Sequence, residues 1–341
     1  MTALTFALPT DLSAQEPPEA RGLARDDIRL LVAAVRGAPW HTRFRDIGDH
    51  LAPGDLLVVN TSATLAAAVD ARRSDGTAVA VHFSHPATRG RWHVELRSPD
   101  GAHRVRDARN GETLTLPAGV ELVIVCAGDR LSEARLLVEG PIDSYLARHG
   151  RPITYGYVSG RWPLSAYQTI FARDPGSAEM PSAGRPFTAE LITDLVTRGV
   201  TVAPITLHAG VSSLEYDEVP IAERFTVPAP TARLVNATRR DGGRVIAVGT
   251  TVTRALESVA APTGVVSAGT GWTDLILGPD RPARVVDGLV TGWHEPGASH
   301  LLLLEAVAGA ELVQDAYDAA LAERYLWHEF GDSCLLLPER G

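Results

Sequence analysis

Lysine is absent from the chain: all 32 basic residues are arginine, set against 41 acidic residues for a formal charge of −9. That excludes lysine as a Schiff-base former, general base or phosphate clamp. It also leaves little overall basic surface for the counterion release that holds a nucleic-acid backbone. Cysteine is almost as scarce. Cys126 and Cys334 stand alone in apolar surroundings without CxxC spacing, so two buried free thiols are expected and no zinc framework or other metal site. Long apolar runs are missing too: Leu301 to Leu304 is cut short by Glu305, far below the roughly 20 residues of a membrane span. The opening MTALTFALPTDLSAQ has no positive segment ahead of its apolar residues, which speaks against a signal peptide and makes the cytoplasm the default location.

What the 341 residues do contain is 45% hydrophobic and 21% charged, enough for a sizeable core in about two domains. RDDIRLLVAAVR (25–36) has helical spacing at Ile28, Leu31, Val32 and Val35, with a strand through LLVAAV as the alternative. DLLVVN, ending in Asn60, has the continuous apolar character of a buried strand. From about 64 to 140, short runs such as TAVAVHF, RWHVELRS and VELVIVCA follow one another with turn residues between them, the pattern of a small antiparallel barrel or sandwich. After a short helix at PIDSYLARHG, helices and strands alternate from 188 onward, implying a layered α/β domain. The last helix, in ELVQDAYDAALAERYLW, has Leu312, Ala316, Ala319, Ala320 and Tyr325 on its packing face. The expected organisation is an α/β domain of residues 1–62 and 150–341, discontinuous in sequence, with a barrel inserted at 63–149.

Candidate chemistry gathers where strands stop. The loop 167–188, from Tyr167 through Pro181, Ser182, Ala183 and Gly184, is rich in small residues that let backbone approach a ligand; a plain connecting loop is the alternative. Two strands run into histidine, at Thr206-Leu207-His208 and at Gly292-Trp293-His294. Ligands of open α/β sheets collect beyond the carboxyl ends of strands, although a lone histidine is commonly structural. In Val245 to Ser258 a strand meets Gly249-Thr250-Thr251, whose amides and hydroxyls suit a polar ligand, and Arg254 and Glu257 follow three apart as neighbours on a helix. A capped helix with a surface ion pair accounts for the same residues. The arginines at 89, 91, 97, 104, 106 and 109 are either solvated or a nucleic-acid footprint.

In the same order along nearly the whole chain, RDDIRLL, FRDIGDHLAPGDLLVVN, YQTIFARDPGSAEMPSAG, ITLHAG, RVIAVGTTVTRALES, VVDGLVTGWHEP and ERYLWHEFGDSCLLL resemble the S-adenosylmethionine:tRNA ribosyltransferase-isomerase family. The resemblance implies an α/β domain with an inserted β-barrel. It also implies transfer of the ribosyl part of S-adenosylmethionine to the aminomethyl group of 7-aminomethyl-7-deazaguanine in tRNA, forming epoxyqueuosine and releasing adenine and methionine. S-adenosylmethionine is then a co-substrate, no prosthetic group or metal is needed, and tRNA is the partner. On that basis His208 and His294 become candidate proton carriers and Asp287 a residue that orients a histidine or binds ribose. Asn60, Thr206, Gly249, Thr250, Thr251 and Arg254 become candidates for the substrate, with Tyr167 and Pro181 to Gly184 closing the pocket.

Departures from the family pattern bear on the acceptor. Thr61-Ser62-Ala63 and Ala68 replace an Asp-Thr-Arg and a further arginine, and Pro186 replaces a histidine. Ser212-Ser213-Leu214 stands for Gly-Thr-Phe, Glu223-Arg224-Phe225 retains only the glutamate of a His-x-Glu segment, and Gly292-Trp293-His294 replaces Asn-Phe-His. With the acidic charge, these weaken the expectation of tRNA and leave open a paralogue acting on a small-molecule acceptor or a non-catalytic binding protein.

Overall fold

The computed structural model describes residues 2, 4–35, 37–211 and 221–339. The chain begins with β1 (Arg29–Ala34), β2 (Trp40–Arg43) and β3 (Leu56–Asn60), and leaves the main sheet through a short β4 (Ser62–Thr64). Six strands follow: β5 (Ala68–Arg72), β6 (Ala78–Pro86), β7 (Trp92–Arg97), β8 (Thr113–Thr115), β9 (Glu121–Cys126) and β10 (Ser132–Leu137). They close into an antiparallel barrel in the order β10-β7-β6-β5-β8-β9. The return path holds α1 (Ile142–His149) and β11 (Asp174–Ser177), which pairs parallel with β4. Then come α2 (Ala189–Thr197), β12 (Thr201–His208), β13 (Glu223–Val227), α3 (Ala229–Arg240), β14 (Val245–Val248), α4 (Thr250–Ser258), β15 (Gly269–Thr273), β16 (Gly288–Thr291), α5 (Ser299–Ala308), α6 (Ala310–Ala322) and β17 (Ser333–Leu337).

Among the described residues nine strands form the main sheet, in the order β15-β13-β12-β3-β14-β16-β17-β1-β2, with β12, β3, β14 and β16 parallel. Both faces of this sheet are covered, which is why its central strands are continuous apolar runs. In β3, Leu56 and Val58 join the core under the face that also buries Val252, Leu256, Leu301 and Tyr317. Leu57 and Val59 join the opposite core with Phe44, Phe187, Leu191 and Leu195. The barrel has its own core, from Val69, Val81, Phe83 and Val94 to Leu122 and Ile124, and this cluster extends to Tyr145, Leu146, Ile153 and Tyr155. Thr188 starts α2 by accepting from Leu191 N at 3.1 Å.

Four expectations change. Residues 29–34 are strand, not helix, since Leu30 to Ala33 are buried on both sides between β17 and β2. Cys126 is exposed at the end of β9, whereas Cys334 is buried as expected. On α6 the expected Ala316 and Ala320 are buried together with Val313 and Tyr317, Leu312 and Ala319 pack at the edge of the same core, and Tyr325, also buried, lies beyond the end of the helix. The arginines of 89–109 form no continuous basic face: Arg97 and Arg104 are buried and bond Glu95 at 2.6 and 2.8 Å, and Arg91 pairs with Glu133 at 2.9 Å.

Candidate active site

The four parallel strands end at Asn60, His208, Val248 and Thr291, and a cavity of about 280 Å³ opens beyond the last two, lined by Gly249 and Gly292. Gly249 has φ 97°, a conformation L side chains rarely adopt, and this lets the chain turn directly from β14 into α4. The first N–H groups of α4 have no intrahelical acceptor, and Thr250 and Thr251 line the cavity, so this helix start favours an anionic group there. Pro181, Ser182 and Ala183 form the facing wall; a Cβ on Gly249 would lie 3.4 Å from that of Ala183. Tyr167 reaches the same space from behind. Its hydroxyl is buried with no hydrogen-bond partner among the described residues.

Arg254 lines the cavity but is already committed. Nε donates to Leu275 O at 3.2 Å, Nη2 to Thr273 O at 3.0 Å, and Nη1 bonds the Glu223 carboxylate. Glu257 is buried beneath it and accepts from the amides of Arg284 and Val285 at 2.9 and 2.8 Å, so the expected surface pair is instead two separate buried anchors. Arg254 thus braces the floor rather than offering its fork to a ligand.

His294 lines the cavity, with Nε2 3.1 Å from Thr291 Oγ1 and its ring stacked on His300 at 4.7 Å. Desolvation, with His300 and His328 nearby, holds it well below the usual histidine range, so it is uncharged at neutral pH. His300 and His328 are held down to about 4, chiefly by burial.

The carboxylates around these rings were not anticipated from sequence. Glu179 accepts from the Tyr155 hydroxyl, Glu329 from the Tyr157 hydroxyl at 2.7 Å, and Glu295 lies 3.6 Å from His328. Tyr157 in turn stacks on His328 at 3.9 Å. Burial pushes Glu295 and Glu329 above the ordinary glutamate value. Glu329 meets a neutral hydroxyl and Glu295 an uncharged imidazole, whereas Glu223 is balanced by Arg254.

The remaining sequence candidates lie elsewhere. Asn60 sits behind the wall and donates to Thr251 Oγ1 at 3.2 Å and Leu207 O at 2.9 Å, fixing two strand ends. Gly184 packs on Thr169 and Phe171. His208 does not reach the cavity: Nδ1 bonds Ser62 Oγ at 2.8 Å within a hydroxyl network that includes Ser177. Thr206 bonds Thr61 at 2.8 Å on the outer face of the sheet. Asp287 is at the wrong end of β16, where it accepts from Val245 N at 2.9 Å, so it cannot orient a cavity histidine. Ala63, Ala68 and Pro186 do not line the cavity, and Ser212, Ser213 and Leu214 lie outside the described residues. Among the described residues no group of three or more His, Cys, Asp or Glu is placed to hold a metal, and no helix is long and apolar enough to cross a membrane.

Residues 1–336 match the family described as queuosine biosynthesis protein. The S-adenosylmethionine:tRNA ribosyltransferase-isomerase of Symbiobacterium thermophilum is 36% identical over 97% of this chain and 98% of its own length. That of Geobacter sulfurreducens is also 36% identical, over 98% and 99%. The crystal structure of an S-adenosylmethionine tRNA ribosyltransferase from Thermotoga maritima superposes with a TM-score of 0.55 at 31% identity, covering 97% of this chain and 99% of that one. With a shared architecture and similarity along its whole length, this chain belongs to the queuosine biosynthesis protein family.

Proposed function

We propose that this chain is a transferase that moves the ribosyl part of S-adenosylmethionine onto the aminomethyl group of 7-aminomethyl-7-deazaguanine in tRNA, with isomerisation to epoxyqueuosine and release of adenine and methionine. The observation that carries this reading is the charge of the cavity. Glu295 and Glu329 line it with an uncharged imidazole and a tyrosine hydroxyl as their neighbours, whereas Glu223 is matched by Arg254. Both reactants are cations, one a sulfonium and the other an ammonium, and a desolvated carboxylate attracts them far more strongly than one in water.

The start of α4, with Gly249, Thr250 and Thr251, takes the methionine carboxylate, where the helix dipole and open amides favour an anion. The Tyr167 hydroxyl and the Pro181 to Ala183 wall hold the nucleoside. The sulfonium acidifies the adjacent C5′ protons, and His294 removes one of them. Thr291 has a single hydroxyl proton, given to Gly292 O at 3.1 Å, so Nε2 of His294 is the donor between them and Nδ1 keeps the lone pair that base catalysis requires. The acceptor must attack as a free amine, and Glu329 takes the proton that its ammonium form sheds. The cytoplasm suits such a reaction.

Of the departures from the family pattern, Ala63, Ala68 and Pro186 stand outside the cavity lining, whereas Glu223, Gly292 and Trp293 belong to it. Incubation with labelled S-adenosylmethionine and tRNA bearing the aminomethyl base tests the reading: label in tRNA with equal release of adenine and methionine is expected. Release with a small amine only reassigns the acceptor, and binding without release contradicts an enzyme.

A further inference from the structure

The reaction cavity is not the only part of this face suited to a planar ligand. In β12, β13 and β15, His208, Arg224 and Trp272 stand directly opposite one another across three antiparallel strands, so their side chains share one face of the sheet. The other face buries Leu207 and Phe225 in the core, whereas Arg224 is exposed and Trp272 is 51% exposed. Two imidazoles from the barrel complete the surface. His85 lies edge-on to Trp272 at 5.4 Å and against His93 at 4.5 Å. Both rings are uncharged at neutral pH, His85 being held at about 4 by burial and by His93. The cluster adjoins the cavity: Gly210 belongs to the cavity wall, and a Cβ there would lie 2.8 Å from Ser84 and 3.8 Å from His85.

An exposed indole beside an arginine, with flat imidazoles around it, is the composition of a stacking platform for unpaired bases. We infer that Trp272, with His85 and Arg224, forms a platform on which a nucleobase flanking the reacting one stacks while the reacting base enters the cavity. A base-modifying enzyme must withdraw its target from the neighbouring stack, and a platform outside the cavity replaces the stacking that the flanking base loses. This inference rests on the activity proposed above for its choice of RNA as occupant. Global charge does not oppose it, because the local cation Arg224 and the aromatic faces act at contact distance.

Binding of a fluorescein-labelled, unmodified tRNA anticodon stem-loop, followed by anisotropy, tests the platform apart from turnover. Trp272→Ala is expected to weaken binding about 5- to 150-fold, the loss of one base–aromatic stack, with affinity for S-adenosylmethionine unchanged. Trp272→Phe retains a stacking ring and is expected to bind within about threefold of the parent, yet to lose the quenching of tryptophan emission caused by the stem-loop. Trp40, exposed on the far edge strand β2, is the control, and Trp40→Ala is expected to change neither signal. Equal affinity in Trp272→Ala, or an equal loss in Trp40→Ala, overturns the platform. Light scattering in which Trp272→Ala turns a dimer into a monomer also overturns it, by giving the face to a second copy. The two proposals separate cleanly. Stem-loop binding through Trp272 without any transfer removes the activity and keeps the platform; transfer to RNA with unchanged affinity in Trp272→Ala does the reverse.

Discussion

Two buried clusters of charge lie on either side of the barrel boundary, and they are built on opposite plans. In the barrel, Glu95 lies between Arg97 at 2.6 Å and Arg104 at 2.8 Å, with side chains no more than 3% exposed, and Arg97 also donates to Gly101 O and lies over the Tyr155 ring at 5.2 Å. In the cavity, Glu179 and Glu329 are held by tyrosine hydroxyls, and Glu295 faces an imidazole that is uncharged at neutral pH. In the first cluster both cations share an anion supplied by the fold. In the second, Glu295 and Glu329 have neutral neighbours and face a space that a cation can fill. Charge compensated internally specifies structure, whereas charge left without a protein cation is retained at a cost in stability and points to a ligand.

Breaking the barrel cluster gives the largest expected effect. Glu95→Ala removes the carboxylate shared by two buried guanidinium groups and is expected to destabilise the protein by about 3–5 kcal/mol, read as a lower urea midpoint, with little change in activity per folded molecule. Glu329→Gln has the opposite profile. Activity per enzyme falls about 100-fold while Tm rises by about 2–4 °C, because an unfavourable buried charge is gone.

The sign of the pH effect follows from the same group. Burial raises the folded-state pKa of Glu329 above 4.5. Between that ordinary value and the raised one, the folded state keeps a proton that the unfolded chain has lost, so stability declines as pH rises through this window. Affinity for a cation runs the other way and falls as pH drops through it. Calorimetric titration of S-adenosylmethionine across the window should show that dependence in the parent protein and a flatter profile in Glu329→Gln.

The two strand-end histidines sharpen the contrast on a smaller scale. His294→Ala is expected to lower kcat about 100-fold. His208→Ala, which loses only its bond to Ser62, is expected to stay within about threefold and to show its effect as a reduced Tm. Asp287→Ala, which loses its bond to the start of β14 far from the cavity, is expected to reduce Tm and leave kcat unchanged.

Those two histidines also show how far the sequence could be read. Both follow an apolar strand, and nothing local distinguishes them; the barrel connection and the pairing of β4 with β11 place hydroxyls over His208, while β16 opens directly onto the cavity. The turn at Gly249-Thr250-Thr251 was legible because strand, glycine and helix are contiguous. Asp287 was misplaced by a polarity that the sequence does carry, since it precedes its strand and therefore lies at the amino end, away from ligand. Glu179, Glu295, Glu329, Tyr155, Tyr157, His300 and His328 come from four separate segments that only the tertiary fold unites. One signal was available: a glutamate inside the aromatic run Tyr325 to Phe330 has nowhere to go but a buried or functional position. The helix expected at residues 25–36 failed because a short apolar run buried on both faces has no period that distinguishes strand from helix.

The central claim is that the cavity recognises positive charge, and the most direct test compares S-adenosylmethionine with S-adenosylhomocysteine, which lacks only the methyl group and the sulfonium charge. Isothermal titration is expected to show the sulfonium bound at least about tenfold more tightly, a difference of about 1.4 kcal/mol, with the gap closing in a Glu295→Gln/Glu329→Gln double variant. Equal affinities in the parent protein, or a gap that survives the double substitution, would contradict the account.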